Sequence, residues 1–146
     1  MKLLIINGPN LNLLGLREPE IYGGQDYHAL ERFILDACRE VGAEAALFQS
    51  NHEGAIVDAI QDACGKFDGI VINPAAYTHT SIAILDALKA VRLPAVEVHL
   101  SDLARRESFR QISFAGMACI KSFSGLGFEG YRQAVLFLAE YLRAKP

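Results

Sequence analysis

Short apolar runs alternate with stretches of helical periodicity along this chain, and that alternation restricts the fold more than any other feature. The apolar runs predict strands at residues 2–7, 43–48, 69–73, 95–99 and 119–123. Apolar side chains three and four residues apart predict helices at residues 27–41, 54–66, 81–91 and 128–144. Strands linked through helices run parallel, because a parallel connection needs a crossover. The sequence therefore predicts one α/β domain over residues 1–146: a doubly wound five-stranded parallel sheet with helices on both faces and the flavodoxin-like strand order.

Composition excludes several classes of protein. Of the 146 residues, 51% are apolar and 21% are charged, which is typical of a chain with a compact core. The net charge of −3 leaves no excess of basic residues for a nucleic-acid surface. The longest apolar run, 134–139, is too short to cross a membrane, and the run at 3–6 ends in Asn-Gly-Pro-Asn, unlike a secretory signal. Cys38, Cys64 and Cys119 are odd in number and widely spaced, which indicates reduced thiols without zinc spacing. We expect a soluble cytoplasmic protein.

A long loop is predicted between the first strand and the first helix, at about residues 8–26. Its length of roughly 19 residues is unusual in a compact domain, where such loops are generally functional. The loop contains Arg17, Tyr22 and a Gly23-Gly24 pair. An arginine close to a tyrosine stabilises the phenolate and lowers the phenol pKa, and glycines on both sides suit a lid that excludes water. The alternative, a tyrosine with a surface or packing role, stays open at this point.

Polar side chains end three of the predicted strands. Asn7 ends the first strand and Asn73 the third, while Glu97 and His99 end the fourth. Because Glu97 and His99 are two residues apart, they project to one face of a strand that is expected to be apolar on both. A carboxylate beside an imidazole fixes its tautomer and favours its charged form. The sequence therefore predicts a site at the carboxyl edge of the sheet; the alternative is that the pair lies beyond that edge in solvent.

Six motifs carry a resemblance to a known enzyme family: Ile6-Asn-Gly-Pro-Asn-Leu-Asn-Leu-Leu-Gly15, Arg17-Glu-Pro, Ile21-Tyr-Gly-Gly24, Tyr77-Thr-His-Thr-Ser81, Glu97-Val-His-Leu-Ser101 and Gly125-Leu-Gly. In order and spacing they resemble the type II 3-dehydroquinate dehydratases over essentially the whole chain. The resemblance implies a carbon–oxygen lyase. It would remove water reversibly from 3-dehydroquinate by anti elimination, giving 3-dehydroshikimate, without metal or organic cofactor. Such a reaction serves the shikimate pathway of aromatic amino-acid biosynthesis or the breakdown of quinate.

The resemblance also implies how the proton is removed. Tyr22 would act as a tyrosinate base on the C2 proton next to the ketone. Arg17 would lower the pKa of Tyr22 and position the lid, and Arg106 would be a second cation.

The resemblance assigns the remaining chemistry to three further residues. Asn10 would stabilise the enolate through a bound water. His99 would be the general acid that protonates the departing C1 hydroxyl, and Glu97 would orient it.

Substrate binding is implied at five positions. By resemblance, Asn73, His79 and Arg110 would contact the ring hydroxyls, and the backbone amides of Leu100 and Ser101 would receive the carboxylate. The last role has a separate physical reason, since Ser101 is predicted to open a helical turn whose free N–H groups attract anions.

Assembly is implied by Asp86, which matches a position that reaches a neighbouring subunit's site in this family. The family assembles as trimers grouped into dodecamers, so the resemblance implies a homododecamer. The alternative for Asp86 is a solvated carboxylate on the face of a helix.

The chain departs from the family pattern at a few positions. Ala75 stands where the family usually has glycine, and would be strained if the backbone there needs a positive φ. Asp102, in Ser101-Asp-Leu-Ala104, departs from a common Ser-Asn-x-His pattern, and Gln111-Ile112 replaces a more basic pair. These departures bear on affinity or subunit contacts more than on the reaction.

Several other functions are weaker interpretations. Residues 125–130 match the GxGxxG pattern, but only 16 residues follow, too few for a dinucleotide fold, so a tight packing turn is favoured. A hydrolase triad of Ser81, His79 and Asp86 lacks the nucleophile elbow. A zinc site on His79, Glu97 and His99 lacks ligand spacing.

Two alternatives share the predicted fold. A flavin-binding module would need a Gly-rich phosphate loop after the first strand, which Gly8-Pro-Asn does not supply. A protein that binds a cyclic polyol acid without turning it over is the alternative from another class; the set of Tyr22, Arg17 and His99 argues against it.

Overall fold

The architecture is an alternating series of strands and helices, as seen in a computed structural model that describes residues 1–16 and 25–146. The strands are β1 (Lys2–Asn7), β2 (Glu44–Gln49), β3 (Gly69–Asn73), β4 (Ala95–His99) and β5 (Lys121–Ser124). The helices are α1 (Tyr27–Glu40), α2 (Glu53–Asp62), α3 (Ile82–Val91) and α4 (Glu129–Ala144). Short 3-10 turns lie at Leu11–Leu13, Ala75–His79, Leu103–Arg105, Ser108–Arg110 and Ala115–Ala118.

The strands form one parallel five-stranded sheet in the order β2-β1-β3-β4-β5. This is the flavodoxin-like order, so the predicted fold class is confirmed. The bounds of β1, β3 and β4 agree with the prediction. The fifth strand starts at Lys121 rather than at 119, because the Cys119 amide still donates to the Gly116 carbonyl of the preceding turn. The Ile120 amide then donates to the carbonyl of Ala95, the first residue of β4.

Both faces of the sheet are buried under helices. Leu3 and Ile5 of β1 lie in a core with α1 and α4, while Leu4 and Ile6 lie in a second core with α2 and α3. The alternation follows from the two-residue period of a strand. No helix of the described ranges is long and apolar enough to span a membrane.

Close backbone contacts bring the loops together at the carboxyl edge of the sheet. The Gly8 amide donates to the Asn73 carbonyl at 2.8 Å, and a Cβ at residue 8 would lie only 2.4 Å from the Pro74 carbonyl oxygen. Only glycine allows this approach between the loops after β1 and β3.

The turn between β5 and α4 is held against the end of β4. Gly125 has φ +84°, and its amide donates to the His99 carbonyl at 3.2 Å, while the Gly127 amide donates to the Leu100 carbonyl at 3.1 Å. The GxGxxG segment is therefore the packing turn that was predicted.

Candidate active site

Glu97 and His99 form a buried pair on β4. His99 Nε2 lies 2.9 Å from Glu97 Oε2, and the two residues are 5% and 2% exposed, respectively. The alternative that the pair lies in solvent beyond the sheet edge is therefore wrong. Since the Glu97 carboxylate can only accept, Nε2 donates to it, and Nδ1 is the ring nitrogen left for a ligand.

The Glu97 carboxylate is surrounded by hydroxyl groups. Thr78 Oγ1 donates to Oε2 at 2.7 Å, the Ser113 hydroxyl donates to the same oxygen, and Ser122 Oγ donates to Oε1 at 2.8 Å. Burial acts to raise the pKa of Glu97, but the hydrogen bond and charge of His99 and the bonds from Ser113 and Thr78 outweigh it and lower the pKa to about 2. Glu97 is therefore a carboxylate at neutral pH.

A cavity of about 120 Å³ opens beside this pair at the carboxyl edge of the sheet. The structure brings together around it the predicted residues Asn10, Asn73, His79, His99, Leu100, Ser101, Arg106 and Arg110. They come from the ends of β1, β3 and β4 and from the turns that follow, as expected for the carboxyl edge of a parallel sheet.

His79 presents its second ring nitrogen to the cavity. Its Nδ1 donates to the Ile112 carbonyl at 2.8 Å, which leaves Nε2 as an acceptor, and its ring lies 6.4 Å from that of His99, 22° from parallel. Burial lowers the pKa of His79, as do the nearby charges of His99 and Arg110, against the opposing effect of the Ile112 bond. A neutral His79 can accept a hydrogen bond from a hydroxyl group.

Asn73 belongs to a buried amide and phenol network. Its Nδ2 donates to Tyr131 Oη at 2.9 Å, and Tyr131 in turn donates to Asn7 Oδ1 at 2.7 Å. Its Oδ1 accepts from the Ala75 amide at 3.1 Å. Burial raises the pKa of Tyr131, so its phenol remains a neutral donor. These bonds fix the Asn73 side chain at the cavity wall.

The Asn10 backbone is held in a left-handed conformation, with φ 69°. The Asn10 amide donates to Asn51 Oδ1 at 3.0 Å, and the Tyr77 hydroxyl donates to the Asn51 carbonyl at 2.7 Å. Asn51, just after β2, therefore ties the loop that carries Asn10 to the turn that carries His79.

Arginine side chains supply positive charge to the cavity. Arg106 Nη1 donates to Ser101 Oγ at 3.0 Å, and Glu107 contacts Arg106 Nε at 3.5 Å and Arg110 Nε at 2.9 Å. Their guanidinium groups suit an anionic ligand with hydroxyl groups.

The prediction that Ser101 opens a helical turn is wrong. The turn begins at Leu103, and the Asp102 side chain takes the capping position by accepting from the Ala104 amide at 3.0 Å. An aspartate in extended conformation competes well for this position. The Leu100 and Ser101 amides thus precede the turn, although both residues line the cavity.

The remaining predicted residues either lie outside the described residues or are placed elsewhere in the fold. Arg17 and Tyr22 lie outside the described residues. Asp86 is on the exposed side of α3 and is not among the described residues that line the cavity. Ser81 caps α3 by accepting from the Ile84 amide at 3.0 Å, so its hydroxyl has a structural role rather than that of a nucleophile. The described residues include no group of three or more side chains placed to hold a metal ion.

The sequence did not predict the hydroxyl groups around Glu97 or the two hydrogen bonds that Asn51 accepts. Ser122 had a usable signal, because it is a polar residue within the predicted strand 119–123, as Glu97 is within the predicted strand 95–99. Thr78 and Ser113 lie in turns, where a hydroxyl group has no pattern that separates it from a solvated one.

The fold is that of a flavodoxin-like α/β protein, with a polar cavity at the carboxyl edge of its sheet. The model of the family described as "Dehydroquinase class II" matches residues 1–139. The chain belongs to this family, and the resemblance seen in its motifs is confirmed.

Individual relatives are similar in sequence or structure over nearly the full chain. The 3-dehydroquinate dehydratase of Clostridium perfringens (strain SM101 / Type A) is 51% identical over 146 residues, covering 99% of this chain and 100% of that protein. That of Clostridium acetobutylicum is 50% identical, covering 97% and 99%. The crystal structure of type II dehydroquinase from Butyrivibrio crossotus DSM 2876 gives a TM-score of 0.92 at 49% identity, covering 94% of this chain and 97% of that one.

Proposed function

We propose that this enzyme catalyses the reversible anti dehydration of 3-dehydroquinate to 3-dehydroshikimate, through an enolate and without a metal or organic cofactor. Membership of the class II dehydroquinases makes it a 3-dehydroquinate dehydratase. The observation that carries the proposed mechanism is the buried Glu97–His99 pair at the wall of a polar cavity. The reaction belongs to the shikimate pathway or to quinate breakdown.

The first step is removal of the C2 proton by Tyr22 as tyrosinate. A proton next to a ketone needs a base whose pKa is matched to the working pH. Arg17 lowers the pKa of the Tyr22 phenol, and Arg106, which lines the cavity, is the second cation. The electrons of the broken C–H bond pass to the ketone oxygen as an enolate.

The second step stabilises that enolate and expels water. Asn10 acts on the enolate oxygen through a bound water, and the fixed Asn10 backbone supports this role. His99, held by Glu97 at Nε2, donates a proton from Nδ1 to the departing C1 hydroxyl. The enolate then collapses to the conjugated ketone as the C–O bond breaks.

Substrate is oriented by the remaining polar groups of the cavity. His79 Nε2, Asn73 and Arg110 contact the ring hydroxyls, and the Leu100 and Ser101 amides receive the carboxylate. The support for this assignment is that all five residues line one cavity.

Assembly into a homododecamer, a tetramer of trimers, completes the proposal. Asp86 reaches the site of a neighbouring subunit from the exposed side of α3, which also carries Ile82, 55% exposed. Further apolar side chains are exposed at Phe109, Ile112 and Met117. The chain acts as a single catalytic domain, 1–146, with a lid at about residues 8–26, in the cytoplasm.

A direct assay tests the reaction. Purified protein, treated with a chelator, is mixed with 3-dehydroquinate, and the conjugated enone-carboxylate product is followed by its ultraviolet absorption. We expect turnover that the chelator does not change and that His99→Ala abolishes. A folded protein that binds 3-dehydroquinate without turnover would instead be a binding protein, and would contradict the proposal.

A further inference from the structure

Three consecutive residues, 112–114, contact separate parts of the candidate site. The carbonyl of residue 112 accepts from His79 Nδ1 at 2.8 Å, and the amide of residue 114 donates to the Thr78 carbonyl at 2.7 Å. Between them, Ser113 places its hydroxyl on Glu97 Oε2. This segment cannot shift without moving the partners of both cavity histidines.

The oxygen that Ser113 contacts is the one that holds His99. Glu97 Oε2 accepts from His99 Nε2 at 2.9 Å and from Thr78 Oγ1 at 2.7 Å, whereas Ser122 lies on the other oxygen, Oε1. The direction of the His99 bond therefore depends on where two hydroxyl groups hold Oε2.

The hydroxyl groups of Thr78 and Ser113 have few possible hydrogen-bond acceptors. Thr78 Oγ1 and Ser113 Oγ are 2.7 Å apart, and Ser113 Oγ already accepts from the Gly116 amide at 2.9 Å. Each hydroxyl group has one proton and the carboxylate has none, so both hydroxyl groups donate to Glu97 Oε2. The Gly116 backbone covers the carboxylate closely, since a Cβ there would lie 2.7 Å from Oε1. The carboxylate thus has hydroxyl donors that are fixed by the fold.

We propose that Thr78 and Ser113 are positioning residues for the reaction, whose hydroxyl groups fix the Glu97 oxygen that accepts from His99 Nε2 and so keep Nδ1 of His99 towards the cavity. The inference rests on the proposed role of His99 as general acid. Loss of either hydroxyl group lets the carboxylate turn, and the His99 ring turns with the Nε2 hydrogen bond that holds it. The fraction of His99 that is placed to donate falls, while the groups that bind substrate stay in place.

The experiment compares Thr78→Val, which removes the hydroxyl at nearly constant shape, with Thr78→Ser, which retains it. Thr80→Val is the matched control, since Thr80 lies two residues after Thr78 and its side chain is exposed. Ser113→Ala removes the second hydroxyl. Two readouts are taken: kcat and KM with 3-dehydroquinate, and the ring ¹⁵N resonances of His99, assigned by their loss in His99→Gln.

We expect Thr78→Val and Ser113→Ala each to lower kcat by about tenfold, the size of a lost hydrogen bond to a charged group. KM stays within about threefold, and Thr78→Ser and Thr80→Val stay close to the unmodified protein. The ¹⁵N resonance of His99 Nε2 moves, because the hydrogen bond from Nε2 to Glu97 Oε2 is weakened. Should Ser113→Ala fail to fold, Thr78→Val decides alone.

The inference is overturned if kcat in Thr78→Val equals that in Thr80→Val. It is also overturned if kcat falls while the His99 resonances stay unchanged, or if Thr78→Ser loses as much as Thr78→Val, because the hydroxyl would then act only through packing. An unmodified protein without turnover would refute the proposed function, whereas the His99 resonances would still decide the positioning role.

Discussion

Ala75 occupies a left-handed backbone conformation at the cavity wall, with φ 54°. The condition under which an alanine here would be strained is therefore met, since an L-residue with a side chain disfavours this region. We expect Ala75→Gly to raise the free energy of unfolding by up to about 1 kcal/mol, measured by urea denaturation. The control is Ala76→Gly, in the same turn with an ordinary φ, which should lower that free energy. Equal effects at the two positions would show that Ala75 is unstrained.

The buried carboxylate of Glu97 links stability to acid pH. Its pKa is lowered from the ordinary 4.5 to about 2 in the folded protein, so the unfolded state binds the proton more readily. The stabilisation by Glu97, on the order of 3 kcal/mol, is present above about pH 4.5 and is lost as the pH falls towards 2. Urea denaturation at several pH values measures it, with Glu97→Gln as the reference that lacks this titration. Parallel pH curves for the two proteins would contradict the prediction.

Tyr22 is assigned to proton removal by family resemblance, and its hydroxyl can be tested by itself. We expect Tyr22→Phe to remove nearly all turnover, because it removes the proposed phenolate base, while substrate binding stays measurable by calorimetry. Tyr141→Phe, on the exposed side of α4, is the matched control and should keep full activity. A Tyr22→Phe enzyme that retains more than about a tenth of the rate would mean a contribution below about 1.4 kcal/mol, and the base would be another group.

At the scale of elements, the β5–α4 turn contacts the backbone of His99, the proposed general acid. Gly125 has φ +84° and donates to the His99 carbonyl, and a Cβ there would lie 2.9 Å from Asp102 Cβ. We expect Gly125→Ala to lower both the free energy of unfolding and kcat, measured by denaturation and the ultraviolet assay. Gly42→Ala is the matched control: φ is +69° there and a Cβ would meet nothing within 4 Å. It should cost about 1 kcal/mol from the same backbone strain without changing kcat. Equal activities in the two variants would contradict the link to His99.

The elements also show what the sequence can and cannot predict. The apolar runs and the polar or turn residues that end them predict the bounds of β1, β3 and β4 to the residue. Buried parallel strands have nearly continuous apolar sequences. Glu97 and His99 stand out for the same reason, as polar groups in such a run. Thr78 and Ser113 are 19 and 16 residues from Glu97 in the chain, and only the packed fold sets those contacts.

At the scale of the whole molecule, the exposed side of α3 is expected to lie between subunits. Ile82 and Asp86 are four residues apart and both exposed, so they share that side of the helix. We expect Ile82→Glu to break the assembly and to lower activity with it, because Asp86 could no longer reach a neighbouring site. Sedimentation velocity and the ultraviolet assay measure the two effects. Tyr141→Glu, an exposed residue on the opposite face of the sheet, should leave both unchanged. A fully active monomer would contradict the role of Asp86.

The hydrogen bond between Tyr131 and Asn7 joins residues 124 positions apart in the chain. Tyr131 also holds Asn73, so the cavity wall between β1 and β3 depends on a side chain that the ribosome adds long after both strands. A nascent chain that ends before α4 has the first strands but no fixed site. Substrate therefore cannot stabilise the growing polypeptide by binding to it, and ligand-assisted folding begins only once α4 has been synthesised and has docked.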